Sequence, residues 1–227
     1  MKPWETLESA NLPEVGELTL VRRGDEYVLR VRGQTLMSSR MHGSEEALAK
    51  AGCAGVVASG TGRVLVGGLG FGYTLRAVLD TVGTGVRVSV VELLPTIIAW
   101  NRGPNLAPLA GAPLEDKRVT VVEGDVGDVM ARNSATFDAI LLDVDNGPSA
   151  LTHPDNQGLY GLRGLSNAAR ALRSGGMLAV WSAGPAPAFE RRMEKCGFTV
   201  DVLHPRAHGT KGPRHVLFIG KLGRGRG

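Results

Sequence analysis

The sequence predicts an α/β fold: a doubly wound, mostly parallel sheet of seven strands, preceded by a small N-terminal β-hairpin segment. Three observations indicate this fold class. From residue 63 onward, short apolar runs alternate with helical segments; a glycine-rich turn follows the first run; and only a polar loop separates the last two runs. Continuous apolar runs fit parallel strands that are covered on both faces, and their alternation with helices implies βαβ units.

The first 43 residues are predicted to form a small β segment. Apolar and polar residues alternate over 17–22 and 26–32, on either side of a tight turn, which is the pattern of a β-hairpin. A third short strand is expected at 34–37. A helix is expected next, over 44–50, because Ser44 can cap it and acidic residues occupy its first turn.

The main domain is predicted to span residues 44–221, and residues 222–227 form a basic tail. Its predicted strands are 63–67, 86–92, 118–123, 137–143 and 176–182, and its predicted helices are 73–82, 95–101, 125–131, 158–173 and 185–195. The final strands, 198–203 and 215–221, have no helical crossover between them. We therefore expect them to form an antiparallel hairpin near the edge of the sheet.

Composition excludes several classes of protein. A chain of 227 residues suits one domain, or a domain with a small appendage. No apolar run approaches the roughly 20 residues that span a bilayer, and the N-terminus lacks the apolar core of a secretory signal, so we expect a cytoplasmic protein. Cys53 and Cys196 lie far apart without metal-ligand spacing, which predicts free thiols and no metal site.

The net charge of +4 arises largely near the C-terminus. The basic residues there are Arg206, Lys211, Arg214, Lys221, Arg224 and Arg226. Nucleic-acid binding is one interpretation, because clustered cations attract phosphate. A solvated loop followed by a tail is the other, and we favour it because no aromatic platform or recognition helix accompanies the charge. We expect no nucleic-acid partner.

The glycine-rich turn, VGGLGFGYTLR at 66–76, is the strongest functional motif. Gly68, Gly70 and Gly72 allow the backbone to approach a ligand closely, and the following helix directs its N-terminal amides toward it. Glu92 ends the next strand, where a carboxylate can accept both hydroxyls of a ribose. A plain tight turn is the alternative for the glycines alone. Together these features predict a nucleoside site.

Further polar residues follow the third and fourth strands of the main domain. Ligands of open α/β sheets bind beyond the carboxyl ends of the strands, where Gly124, Asp125 and Asp143 are expected. Asp145 and Asn146 come shortly after. Asp143 can take a proton from an amine or orient it for attack, as a general base does. The structural alternatives are a helix cap for Asp125 and a loop cap for Asp143.

These motifs resemble the spermidine synthase family, the aminopropyltransferases built on a methyltransferase-like Rossmann fold. The resemblance covers nearly the whole chain, and its matching segments are 66–76, 91–92, 123–125, 137–143, 159–160 and 171–177. It implies that Glu92 holds the ribose, Asp125 the adenine amino group, and Asp143 activates the acceptor amine. The implied donor is decarboxylated S-adenosylmethionine, and the implied pathway is polyamine biosynthesis.

The acceptor side is expected to include residues from the N-terminal segment and residues that follow the fourth strand of the main domain. His42 and Glu45 can reach the mouth of the crevice from the N-terminal segment, although a surface-loop role is the alternative for His42. Asp145 and Asn146 are further candidates. Tyr160 can line the acceptor side or serve only in packing. The resemblance also implies a homodimer, with the N-terminal β segment as the interface.

Three functions stay open at this point. The first is transfer of an aminopropyl-type group to an amine. The second is an S-adenosylmethionine-dependent methyltransferase that acts on a small molecule, because Leu69, Gly70 and Phe71 stand where the family's loop carries an aspartate that steadies the donor's amine. The third is a nucleoside-binding protein without catalysis. The enzyme hypotheses share a small-molecule acceptor and need no metal.

Overall fold

The computed structural model describes residues 2–13, 15–144, 147–150, 156–208 and 211–223. The strands are β1 (Glu5–Leu12), β2 (Gly16–Arg23), β3 (Glu26–Val31), β4 (Gln34–Ser38), β5 (Thr61–Gly67), β6 (Gly85–Glu92), β7 (Val119–Glu123), β8 (Phe137–Leu142), β9 (Leu172–Ser182), β10 (Phe198–Leu203), β11 (Arg206–His208), β12 (Lys211–Arg214) and β13 (Val216–Leu222). The helices are α1 (Gly43–Gly52), α2 (Ala54–Ser59), α3 (Tyr73–Thr81), α4 (Pro95–Arg102), α5 (Val126–Arg132), α6 (Asn156–Tyr160), α7 (Leu162–Ala171) and α8 (Pro187–Lys195).

The central sheet has seven strands in the order β10-β13-β9-β8-β5-β6-β7. Strands β5 to β9 pair with one another in parallel. Strand β13 is antiparallel to both of its neighbours, β9 and β10. The predicted fold class is therefore confirmed, including the antiparallel pairing of the last two predicted strands.

Both faces of the central sheet are covered, which explains its continuous apolar strands. In β5, the consecutive side chains of Val64, Leu65 and Val66 are all fully buried. Val64 and Val66 belong to one hydrophobic cluster and Leu65 to another, because successive side chains of a strand point to opposite faces. Each face of the sheet thus supports its own layer of helices.

The N-terminal segment is a four-stranded antiparallel sheet in the order β1-β2-β3-β4. The predicted hairpin and third strand are confirmed as β2, β3 and β4. Strand β1 was not expected, because its sequence ETLESANL is mostly polar and largely exposed at the edge of this sheet. Its apolar residues Leu7, Ala10 and Leu12 nevertheless pack against the main core.

Several predicted elements differ from the structure. The helix predicted over 158–173 is two helices, α6 and α7, because Gly161 is extended and ends the first of them. Strand β9 begins at Leu172 instead of 176, because Leu172 pairs with Phe137 of β8. The polar loop predicted between the final strands contains the small hairpin β11–β12. Helix α2 also has no counterpart in the prediction.

Two general findings concern the described part of the chain. None of its helices is both long and apolar enough to cross a lipid bilayer. Cys53 and Cys196 are free thiols; Cys53 is buried and Cys196 is partly buried. Burial raises the pKa of Cys53 to about 12, so this thiol is inert at neutral pH.

Candidate functional site

The glycine loop lies between β5 and α3, at the carboxyl ends of the parallel strands. Gly68 has a φ of +90°, and a Cβ atom there would lie 2.2 Å from the carbonyl oxygen of Asp143. Only glycine permits this approach. The Gly68 amide donates to Val91 at 2.9 Å, and the Asp143 amide donates to Gly67 at 2.9 Å, so the loop is fixed between β6 and β8.

Glu92 is buried at the end of β6 and holds the loop through both carboxylate oxygens. Its Oε2 accepts the Leu69 amide at 2.9 Å, and its Oε1 accepts the Leu94 amide at 2.9 Å. Each carboxylate oxygen can still accept a further hydrogen bond. Two backbone amides thus orient Glu92 beside the glycine loop, which is the geometry that a ribose-binding carboxylate needs.

Asn101 of α4 is a second tether of the loop that sequence reasoning missed. Its side chain is almost fully buried, and its Nδ2 donates to the carbonyls of Gly70 at 2.8 Å and Ile97 at 2.9 Å. A lone asparagine in an apolar helix was the available signal, because buried amides are retained where they make hydrogen bonds.

A small cavity opens between the glycine loop and the N-terminal segment. It is lined by Met37, Glu45, Leu69, Gly70, Phe71, Tyr73, Thr74 and Asp143. Met37 of β4 packs so closely on Gly70 that a Cβ atom on the glycine would lie 2.7 Å from the Met37 Cε. Two carboxylates that are far apart in sequence, Glu45 and Asp143, therefore meet at one cavity.

The electrostatics of these two carboxylates are unusual. Burial, together with the nearby charge of Asp143, raises the pKa of Glu45 to about 8. Burial also raises the pKa of Asp143, and the hydrogen bond that the Thr74 hydroxyl donates to its Oδ2 at 2.5 Å partly opposes this. Two like charges in a partly buried site disfavour each other's ionisation. A cation between them would stabilise both in the ionised form.

Ser44 hydrogen bonds to Glu45 on the same helix, α1, and also contacts residues from distant parts of the chain. The sequence predicted Ser44 as the cap of this helix, but the residue at the N-cap position is His42 and it makes no side-chain cap bond. The buried Ser44 hydroxyl instead donates to Glu45 Oε2 at 2.6 Å. Trp181 and His215 contact the same hydroxyl. The contacts to Trp181 and His215 are not visible in the sequence, because these residues lie 137 and 171 positions from Ser44.

The other residues predicted for the acceptor side differ in whether they lie near the cavity. His42 lies beside the cavity, where its ring stacks on Tyr73 with centroids 4.6 Å apart and its Nδ1 lies 2.9 Å from Glu46 Oε1. Tyr160 is fully buried, and its hydroxyl donates to the Val144 carbonyl at 3.1 Å, so its ring lies in the core and does not line the cavity. Asp145 and Asn146 lie outside the described residues.

The residues after β7 lie next to the end of β6. The Gly124 amide donates to the Glu92 carbonyl at 3.0 Å. Asp125 is exposed and is the N-cap of α5, where its Oδ1 accepts the Gly127 amide at 2.6 Å. Asp125 therefore makes the capping contact that the sequence offered as an alternative, at the edge where an adenine is expected.

A larger cavity of about 360 Å³ lies at the other end of the sheet. Its charged lining residues are Arg63, Arg87, Asp138 and Arg173. It is formed at the amino ends of the parallel strands, whereas ligands of open α/β sheets bind at the carboxyl ends. We therefore assign the candidate site to the smaller cavity. Within the described ranges, no cluster of three or more His, Cys, Asp or Glu residues could hold a metal ion.

Comparison with solved structures identifies the fold. A spermidine synthase in complex with the transition-state analogue AdoDATO superposes with a TM-score of 0.80 and 18% identity, over 96% of this chain and 74% of that one. Spermidine synthase from Thermotoga maritima gives 0.76 and 19%, over 96% and 73%. A probable spermidine synthase from Corynebacterium glutamicum gives 0.67 and 17%, over 97% and 81%. No protein-family model and no curated protein matches the sequence. The chain therefore has the spermidine synthase fold.

Proposed function

We propose that this protein is a spermidine synthase-like transferase. It binds decarboxylated S-adenosylmethionine, or a related donor, and transfers an aminopropyl-type group to an amine acceptor. The observation that carries the proposal is the pair of partly buried carboxylates, Glu45 and Asp143, at the cavity beside the glycine loop. Neutral ligands would leave their mutual repulsion in place, whereas a cationic ligand would remove it.

The donor's own charges fit this pair. Decarboxylation leaves an ammonium group and a sulfonium without the carboxylate of S-adenosylmethionine. In this proposal Glu45 receives the ammonium and takes over the task of the family's loop aspartate, since the loop here presents Leu69, Gly70 and Phe71. The donor's nucleoside would lie along the glycine loop, with its ribose hydroxyls on the free lone pairs of Glu92.

The chemistry follows from the same residues. When bound, the donor supplies a sulfonium whose C–S bond breaks as the C–N bond to the acceptor amine forms, and the sulfur leaves as a neutral thioether. Asp143 removes a proton from the acceptor amine, which must be neutral to attack. Thr74 orients Asp143 through its hydrogen bond to Oδ2. Met37 and Phe71 add apolar surface that limits the access of water.

An S-adenosylmethionine-dependent methyltransferase is the second candidate. The apolar loop favours it, because Leu69 and Phe71 are buried where a donor-binding aspartate is absent. The intact donor, however, carries an α-carboxylate, which would meet Glu45 and Asp143 as a third negative charge. The carboxylate pair therefore favours the decarboxylated donor. A non-catalytic nucleoside-binding protein is the outcome if ligands bind without turnover.

Titration calorimetry tests the proposal with decarboxylated S-adenosylmethionine, S-adenosylmethionine and methylthioadenosine. We expect the decarboxylated donor to bind tightest and to release about one proton near pH 7, because it forces Glu45 to ionise. Proton release is measured by repeating the titration in buffers of different ionisation enthalpy. Methylthioadenosine lacks the ammonium and should release none. Tighter binding of intact S-adenosylmethionine would favour the methyltransferase, and binding of none of the three would refute both enzyme proposals.

We also propose a small-molecule amine or other small acceptor as the second substrate, and a cytoplasmic homodimer. The N-terminal sheet, β1 to β4, is the proposed interface. Sedimentation of the purified chain would measure the oligomeric state, and deletion of this sheet would test whether it forms the contact.

A further inference from the structure

The buried Ser44 hydroxyl lies at the centre of a partly buried polar cluster behind the site. Its Oγ is 2.6 Å from Glu45 Oε2, 2.8 Å from His215 Nδ1 and 3.1 Å from Trp181 Nε1. Ser44 has no solvent-exposed surface, so water does not compete for these bonds. The function proposed above uses Glu45 but gives no role to Ser44 or His215.

The chemistry of the three neighbours limits how the hydrogen atoms are arranged. A serine hydroxyl donates one hydrogen bond and accepts two, and an indole N–H only donates. Trp181 therefore occupies one acceptor position of Ser44. One donor and one acceptor position remain, and Glu45 and His215 must divide them.

Two arrangements link the protonation of Glu45 Oε2 to the protonation of His215 Nδ1 through the Ser44 hydroxyl. If Glu45 is ionised, Ser44 donates to the carboxylate and His215 must carry its proton on Nδ1 to donate to Ser44. If Glu45 is protonated on Oε2, its acid proton is donated to Ser44 Oγ. Ser44 then donates its own proton to His215 Nδ1, which must be unprotonated. The neutral imidazole of His215 therefore carries its proton on Nε2.

We propose that Ser44 and His215 are positioning residues that couple the ionisation of Glu45 to the tautomer of His215. The role of this coupling rests on the proposed function, because the cationic ligand of that function requires Glu45 to ionise. As that cation arrives, the Glu45 proton passes to Ser44 Oγ while the Ser44 proton passes to His215 Nδ1, and the Nε2 proton leaves to solvent. When the ligand leaves, the same steps run in reverse. Only O–H and N–H bonds are exchanged.

The surroundings of the two titrating groups support this coupling. Glu45 faces Asp143 across the cavity and Tyr73 of α3, and Glu46 follows it on α1; the charges of Asp143 and Glu46 both raise the pKa of Glu45. The His215 ring packs edge-on against Trp181, with centroids 4.7 Å apart. Burial lowers the pKa of His215, so near neutral pH its ring is neutral and its tautomer is the variable.

Nitrogen NMR of the ligand-free, histidine-labelled protein tests the coupling directly. The Nδ1 and Nε2 shifts of His215 report its tautomer. Between pH 6.5 and 9.5 we expect the ring to change from the Nε2–H to the Nδ1–H form, with the midpoint at which the Glu45 carboxyl carbon titrates. His204 serves as an internal control, because no described contact joins its ring to Glu45. A constant His215 tautomer in the wild-type protein would overturn the proposal.

Variants of Ser44 and Trp181 separate coupling from a structural role. In Ser44→Ala the His215 tautomer should no longer follow Glu45, whereas Trp181→Phe removes only one donor and should keep the change. A change that persists in Ser44→Ala would also overturn the proposal. Binding of the decarboxylated donor then gives a second readout: Ser44→Ala should shift its pH dependence, and Ser44→Thr should restore it. If no donor binds, the proposed function fails while the ligand-free titration still decides the coupling.

Discussion

Replacing Glu45 by glutamine tests whether partial burial and the charge of Asp143 raise the pKa of Glu45. The ordinary pKa of a glutamate is 4.5, and burial beside Asp143 raises the pKa of Glu45 to about 8. Between these two values the folded protein keeps a proton that the unfolded chain has released. The free energy of unfolding must therefore fall as pH rises through this window, and level off above pH 8.

The magnitude follows from linkage. One proton of difference changes the free energy of unfolding by about 1.4 kcal/mol per pH unit, so this residue costs about 2–3 kcal/mol between pH 5.5 and 7.5. Glutamine cannot ionise, and its presence removes the charge that opposes ionisation of Asp143. Glu45→Gln should thus flatten the pH dependence and exceed the wild-type protein in stability at pH 8.

Urea denaturation followed by circular dichroism, at half-unit steps from pH 5 to 9, measures this slope. Glu46→Gln is the matched control, because Glu46 is the next residue on the same helix and its side chain is 63% exposed. The control should reduce the slope only slightly, because the Glu46 charge is the smallest of the contributions that raise the pKa of Glu45. Equal slopes for the wild-type protein and Glu45→Gln would refute the burial and coupling of these carboxylates.

Three further predictions concern the residues around the cavity. Asp143→Asn should leave donor binding largely intact and lower turnover about 10²–10⁴-fold, the range for loss of a general base; unchanged turnover in a transfer assay would remove Asp143 from that role. Thr74→Val deletes a hydrogen bond that lowers the pKa of Asp143, so the acidic limb of the pH–rate profile should move to higher pH, and a fixed limb would contradict it. Gly68→Ala should destabilise the fold by about 3 kcal/mol or more and abolish nucleoside binding, because its Cβ would overlap the Asp143 carbonyl. Gly24→Ala is the control for positive φ alone, since no atom lies within 4 Å of that Cβ; equal losses in urea denaturation would disprove the steric argument.

The central strands of the main domain were predictable because strands such as β5 and β8 are buried on both faces. That burial requires a continuous apolar run, which is a local signal in sequences such as 137–142. Strand β1 escaped prediction because an edge strand needs little burial, and its polar sequence ETLESANL carries no such signal. The split of the helix predicted over 158–173 depends on the extended backbone at Gly161, which a helical pattern alone does not reveal.

The part of the candidate site formed by the glycine loop and Glu92 was also predictable from local sequence. The glycine loop and Glu92 lie at consecutive strand ends, and parallel topology brings such ends to one edge. The acceptor side was only partly accessible. Glu45 was a candidate for the crevice, but no local pattern pairs it with Asp143. Tyr160 was open between the acceptor side and packing, and its full burial places it in the core.

The sequence by itself determined the α/β architecture, the glycine loop and the carboxylate at the end of β6, because each depends on contacts within a short stretch of chain. Only the tertiary structure decided the protonation chemistry. The raised pKa of Glu45 depends on burial and on the charge of Asp143, which lies 98 positions away by their residue numbers. The contact from Ser44 to His215 spans 171 positions. Such long-range electrostatic and hydrogen-bond terms exist only when folding brings these groups together and excludes water from between them.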